Sequence, residues 1–226
     1  MIRGLYTSGW SMLALQKKMD VLSNNLANVS TNGYKRDTVA MEGFPELLAK
    51  RLNDHTDGIS GGVPVGDLSF SDDVGNVYTW FKPGSLQQTE QNLDFCLKDD
   101  GKAFFSIAVP SQNNFTEYYT RDGSFELNAA GQLVTRQGFF VLGQKGVIQL
   151  DSDQFMLQKD GTIVQDGEVV DTLLIKQFED PTTLRKNGQN LLSPTDGTVE
   201  EDFSGQVLQS YLEQSNVEVV REMVDM

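Results

Sequence analysis

The chain has 226 residues, 38% of them hydrophobic and 22% charged, with a net charge of −14. That length accommodates one large domain or two modest ones. The acidity argues against nucleic-acid binding, which needs a basic stripe to displace counterions, and no apolar run approaches the roughly 18–20 residues of a membrane span.

The N-terminal segment carries the clearest periodicity. Met12, Leu15, Met19, Leu22, Leu26 and Val29 recur at spacings of three and four, the seam of a coiled coil, and predict a helix. Asn32-Gly33 then supplies the left-handed residue that closes a helix C-terminus. A helix with one narrow apolar seam needs another helix to lie against. Asn24 and Asn28 share one of its faces, with Asn25 adjacent, a cluster that helices disfavour because Asn competes for the backbone. Interhelical hydrogen bonding in an assembly and local capping both account for it. The first ten residues contain neither a sustained apolar stretch nor a small-residue cleavage site, so no cleavable signal peptide is expected.

Residues 1–38 therefore read as an N-terminal assembly helix and 39–73 as a linker and extended loop, with a short helix after Pro45 and then a tract rich in Gly, Asp and Ser over 53–73. The lone His55 falls in this polar tract without a Cys or His partner, so neither a metal centre nor a histidine base is expected. From 74 to 204 the pattern changes to short strands and tight turns. Strands are predicted at 76–81, 103–109, 117–120, 125–128, 132–135, 139–142, 147–150, 155–158, 162–165 and 168–178. Asp122-Gly123, Asp160-Gly161 and Asp166-Gly167 punctuate them as hairpin turns. Cys96, the single cysteine, alternates with Leu93, Phe95 and Leu97 as a semi-buried strand thiol and has no partner for an internal disulfide.

Residues 205–226 read as the start of a C-terminal assembly helix. Ser215-Asn216-Val217-Glu218 has the form of a capping box, and Leu212, Asn216, Val219, Met223 and Met226 continue a second seam. This end is acidic and the N-terminal end mildly basic, which suits pairing of the two. The expected fold is mainly β with terminal α-helices: an irregular antiparallel β barrel or sandwich, flanked by N- and C-terminal helices that form coiled coils.

Catalytic signals are absent. No nucleophile elbow, Walker loop, dinucleotide fingerprint or His-Glu-x-x-His occurs, and the carboxylate pairs Asp151/Asp153 and Glu200/Glu201 lie in turns and acidic loops. Neither an enzyme nor a cofactor is expected. The candidate functional residues are the two seams and the Asn cluster, as an assembly interface. A secreted carbohydrate-binding module is the alternative of a different class, with Tyr118-Tyr119 and Phe139-Phe140 as its aromatic candidates.

Six short stretches carry a resemblance. Residues 22–35 (Leu-Ser-Asn-Asn-Leu-Ala-Asn-Val-Ser-Thr-Asn-Gly-Tyr-Lys) end a heptad helix in an Asn-rich turn. Residues 101–105 (Gly-Lys-Ala-Phe-Phe) open a strand, and 119–125 (Tyr-Thr-Arg-Asp-Gly-Ser-Phe) precede Gly131-Gln-Leu-Val134. Residues 212–217 (Leu-Glu-Gln-Ser-Asn-Val) and 222–226 (Glu-Met-Val-Asp-Met) lie near the end. Together these resemble the flagellar basal-body rod and hook proteins of bacteria, with Ala103 standing where the family usually has a second Gly. The resemblance implies export through the flagellar type III apparatus without cleavage, and a location in the basal body outside the cytoplasmic membrane. It also implies self-polymerisation into a torque-transmitting tube together with other rod and hook proteins. In the family the C-terminal helix usually runs on for longer than the stretch seen here, so the chain is expected to be truncated within it.

Overall fold

The computed structural model describes residues 2–43, 47–51, 63–68, 72–111, 114–195 and 197–226, and the chain divides into two compact units. One holds residues 1–24, 37–78 and 225–226; the other holds 25–36 and 79–224.

The first helix, α1 (Ile2–Ala27), runs for 26 residues and contains no proline. Its Leu, Met, Lys and Gln residues lose little side-chain freedom in a helix. The predicted seam does not behave uniformly along it. Met12 and Leu15 are 68% and 55% exposed and Met19 is exposed too, whereas Leu22 is buried and Leu26 half-buried. Val29 lies beyond the helix, in the turn that follows.

In the first unit the strand Asp37–Gly43 pairs with Asp72–Thr79, and Leu47–Arg51 pairs antiparallel with Val63–Leu68, with a bulge between Ala49 and Lys50. The expectation of a linker and loop over 39–73 is corrected for these residues. So is the short helix after Pro45, because Leu47–Arg51 is a strand. The reason is pairing: neither segment alternates strongly enough to be read alone, and each forms a ladder with a partner distant in sequence. His55 and Pro45 lie outside the described residues.

The second unit is β-rich. Its largest sheet runs Leu184–Lys186, Leu192–Pro194, Asn114–Thr120, Ala103–Ser111, Phe140–Gly143, Leu133–Thr135, Phe125–Leu127. Ile175–Phe178 adds to Ala103–Ser111, and Glu200–Glu201 adds in turn to Ile175–Phe178. Met156–Leu157, Thr162–Gln165 and Glu168–Thr172 form a three-stranded sheet, and two-stranded pairs join Phe95–Lys98 to Gln206–Gln209 and Leu86–Gln88 to Tyr211–Glu213. These sheets are open; the described strands do not close into a barrel.

Ala103–Ser111 is the central strand and is buried on both faces. Ala103 and Phe105 enter the main core with Phe95, Phe125, Leu133 and Ile163, while Phe104 points the other way into a second cluster with Phe81, Tyr119 and Phe178. A strand covered on both sides reads as a continuous apolar run, which is why Ala-Phe-Phe-Ser-Ile-Ala shows no clean alternation. The predicted strand 168–178 is two strands, Glu168–Thr172 and Ile175–Phe178, in different sheets.

Two turns fix the register of their neighbours. Asp166 and Gly167 both have positive φ (53° and 86°), the two-residue hairpin turn that joins Thr162–Gln165 to Glu168–Thr172. Gly33 closes the turn after α1 at φ 65°, and a Cβ there would sit 2.5 Å from the backbone of Arg121. Gly33→Ala should therefore lower stability by about 2–4 kcal/mol, combining the left-handed penalty with overpacking. Gly167→Ala, which meets open space, should lose only the conformational part, about 1–2 kcal/mol. Urea unfolding of the two variants side by side checks this; equal losses would mean that the Gly33–Arg121 approach is not tight.

Candidate functional site: a buried junction of the sequence motifs

Three of the motif blocks converge on one point inside the second unit. Lys35 ends the post-helix turn, Arg121 follows the strand Asn114–Thr120, and Glu213 closes the strand Tyr211–Glu213. Asp99, just after Phe95–Lys98, completes the group. Lys35, Arg121 and Glu213 are no more than 3% exposed.

Glu213 accepts on both carboxylate oxygens. Its Oε1 receives the Lys35 ammonium and the Gly84 N–H at 2.9 Å, and its Oε2 receives Arg121 Nε at 2.6 Å. The Arg121 guanidinium also donates to the Ala103 carbonyl, to the Leu97 carbonyl at 3.1 Å and to Asp99 Oδ1. The second oxygen of Asp99 accepts from the backbone N–H groups of Lys102 at 2.8 Å and Ala103 at 2.6 Å. Lys35 Nζ reaches the Lys82 carbonyl at 3.2 Å. Two positive and two negative groups thus balance, and each is supplied with hydrogen bonds.

The electrostatics follow from burial set against pairing. Burial pushes the Glu213 carboxyl up, but Arg121 and Lys35 outweigh it and hold the group below its ordinary value. Asp99 is likewise held down by Arg121 against burial. Lys35 goes the other way: burial pulls its ammonium below the usual lysine value despite Glu213. Cys96, fully buried in the adjoining strand, has its thiol pushed up to about 12, first by burial and then by Glu213. It is an inert core thiol at neutral pH.

A second polar layer lies beside the first. Asn25 is 0% exposed; its amide donates to Glu222 Oε2 at 3.3 Å, and its carbonyl oxygen accepts from the Tyr34 hydroxyl at 3.2 Å. Glu222 also meets Arg36 at 3.5 Å. Asn216 accepts from the Arg36 N–H at 2.8 Å and donates to the carbonyls of Trp80 and Lys82 at 2.8 and 3.0 Å. Lys186 stands over the Tyr34 ring at 4.4 Å and donates to the Lys35 carbonyl at 2.6 Å.

Several sequence expectations change here. Leu212 and Asn216 do not belong to a helical seam: Leu212 is buried in a strand, the Asn216 side chain bonds three backbone groups on two segments, and the second helix, α2 (Val219–Asp225), begins only after them. The capping box is absent, because the Ser215 hydroxyl accepts from the Val217 N–H two residues on. On α2, Val219 is half-buried while Met223 and Met226 are exposed. Asn25 is satisfied within the chain. Asn28 acts locally, its side-chain oxygen accepting from the Thr31 hydroxyl at 3.3 Å, and Asn24 is exposed. Of the aromatic candidates, Tyr119 is core. Sequence reasoning missed Arg121, Glu213 and Asp99 as site residues. The available signal was that Arg121 and Glu213 sit inside the motif blocks that carry the resemblance.

This arrangement uses its polar atoms to hold chain segments together, and α1 and the C-terminal residues 220–226 carry exposed apolar side chains. It defines a structural protein. Residues 5–35 match the family described as flagella basal body rod protein, and residues 100–171 match the flagellar hook protein FlgE/F/G D1 domain. Over the whole chain, identity is 32% to the flagellar basal-body rod protein FlgG of Buchnera aphidicola subsp. Schizaphis graminum, covering 90% of that protein. It is 31% over 99% of the chain to the rod protein FlgF of Caulobacter vibrioides, covering 86% of it. It is 27% over 85% of the chain to the hook-basal body complex protein FlhO of Bacillus subtilis, covering 74% of it. The chain belongs to the flagellar basal-body rod protein family, as a structural component of the bacterial flagellum.

Two outcomes are expected of the junction. Arg121→Met leaves Glu213 and Asp99 buried without their main partner and should cost about 3–5 kcal/mol by urea unfolding. Because both carboxyls are held below their ordinary values, the unfolded chain takes up protons first as pH falls. Their contribution is whole above about pH 4.5 and is lost progressively below it. Glu213→Gln should flatten that acid limb; an unchanged slope of stability against pH would show that Glu213 is not the group responsible.

Proposed function

We propose that this rod subunit polymerises through its terminal helices into a hollow shaft that transmits torque to the hook. The observation that carries the reading is the exposed apolar surface of α1, where Leu5, Met12, Leu13, Leu15 and Met19 all face solvent in the single chain. Val220, Met223, Val224 and Met226 extend the same character to the C-terminal helix region. Single exposed apolar residues are ordinary, but a run of them along one helix marks an interaction surface. Head-to-tail contacts that do not close generate a helical filament. The assembly surface on this reading comprises Met12, Leu15, Met19, Asn24, Val219, Met223 and Met226, with Leu22 and Leu26 at its base. The subunit leaves the cell through the flagellar type III apparatus, joins other rod and hook proteins, and occupies the distal part of the rod.

Met12→Ser/Leu15→Ser tests the proposal. Both residues are already exposed, so the stability of the isolated chain, followed by thermal melting, should change by less than about 0.5 kcal/mol. Each buried Leu or Met contributes roughly 1.5–3 kcal/mol, and the loss recurs at every junction, so rods and swimming should disappear. Motile cells carrying this variant would refute assembly through α1.

A further inference from the structure

We infer that Asn187 is a site of spontaneous amide-to-acid conversion, while Asn32, in the same Asn-Gly dipeptide, is protected by the fold. These are the two Asn-Gly steps of the chain. The reaction begins when the following backbone nitrogen, having lost its proton to solvent hydroxide, attacks the side-chain Cγ. A C–N bond forms, the side-chain nitrogen leaves as ammonia, and a five-membered cyclic imide remains. Water then adds to one of its two carbonyls and reopens the ring to aspartate or to β-linked isoaspartate. No oxidant or other reactant is needed. Glycine favours the step because no Cβ hinders the approach of its nitrogen.

Asn187 meets these requirements. It opens the loop joining Leu184–Lys186 to Leu192–Pro194 and is exposed, as is Gly188. The loop is closed by Asn187 N–H to Leu191 O and Leu191 N–H to Gly188 O, both at 2.9 Å, while the Gly188 N–H itself donates to no described group. Nothing lies within 4 Å of the Gly188 Cβ position, so the backbone has room to turn.

Asn32 is held from three sides. The Gly33 N–H that would have to ionise donates to the Glu213 carbonyl at 2.7 Å. The Gly33 Cα packs so closely on the Arg121 backbone that a Cβ would sit 2.5 Å from it. The Asn32 carbonyl accepts from Asn190 Nδ2 at 2.9 Å. Ring closure there must await opening of the junction, so its rate scales with the population of the open form. Asn190 lies in the same loop as Asn187, so conversion at Asn187 adds a charge, and in part an extra backbone carbon, to the loop that braces the turn after α1.

The test is to incubate the folded full chain in mildly alkaline buffer at physiological temperature and map both peptides by mass against time. A parallel sample is kept unfolded in urea. In the folded chain Asn187 should convert about tenfold or more faster than Asn32, since a buried hydrogen bond must break first at the latter; in urea the two rates should approach each other. Labelling of the peptide that spans 187–188 by an isoaspartate methyltransferase should disappear in Asn187→Ser. Conversion of Asn32 at a rate equal to or above that of Asn187 in the folded chain would overturn the inference. So would an unchanged Asn187 over the time in which the unfolded chain converts.

Discussion

Arg121 is a full charge placed where water cannot reach it, and the second unit is organised around the need to satisfy it. An unpaired buried guanidinium costs several kcal/mol, so Glu213 and Asp99 must arrive at its two ends and the carbonyls of Leu97 and Ala103 must take its remaining N–H groups. Those four partners come from three separate strands or turns. Lys35 joins through Glu213, which brings in the segment leaving α1. The interaction therefore dictates which backbone segments lie side by side. A patch of apolar side chains would bind them with similar strength but would tolerate several registers, whereas a guanidinium accepts its carboxylates in one geometry.

The second polar layer extends this logic to the segments that lead into the helices. Asn25 and Glu222 meet with no water-accessible surface on the Asn25 side. A seven-residue helix such as α2 is too short to persist alone, and the buried Glu222 is its attachment. The result is a contrast between two kinds of surface on one chain. Polar groups near the motifs are turned inward and satisfied, and apolar groups on α1 are turned outward. On the proposed function, the first property keeps the subunit in a single shape and the second supplies surface for neighbours.

The acidity of the chain fits the same division. The positive charges Lys35, Arg36, Arg121 and Lys186 are engaged at or near the junction. A larger share of the acidic side chains stays at the surface, among them Glu200 and Glu201, which sit on an exposed two-residue strand. Self-repulsion between acidic surfaces favours solubility of the single chain.

Much of the architecture is legible without coordinates because it rests on local chemistry. The apolar recurrence of α1 needs only helical period, the stop at Asn32-Gly33 only a left-handed residue, and the hairpin at Asp166-Gly167 only two residues that tolerate positive φ. The motif blocks were visible as a resemblance for the same reason. What stayed hidden is non-local. Leu47–Arg51 and Val63–Leu68 become strands by pairing with each other, Leu212 and Asn216 fit a helical spacing yet serve a strand and a clamp, and Asn25 looked like an interface residue until Glu222 and Tyr34 were placed beside it. Above all, Arg121, Glu213, Asp99 and Lys35 are separated along the chain by up to 178 positions. By itself the sequence determined the existence of α1, the turn that stops it at Asn32-Gly33 and the hairpin at Asp166-Gly167, since those are contests between neighbouring residues. Only the tertiary structure decided which charges are buried together, since that depends on distances between segments that no local spacing encodes.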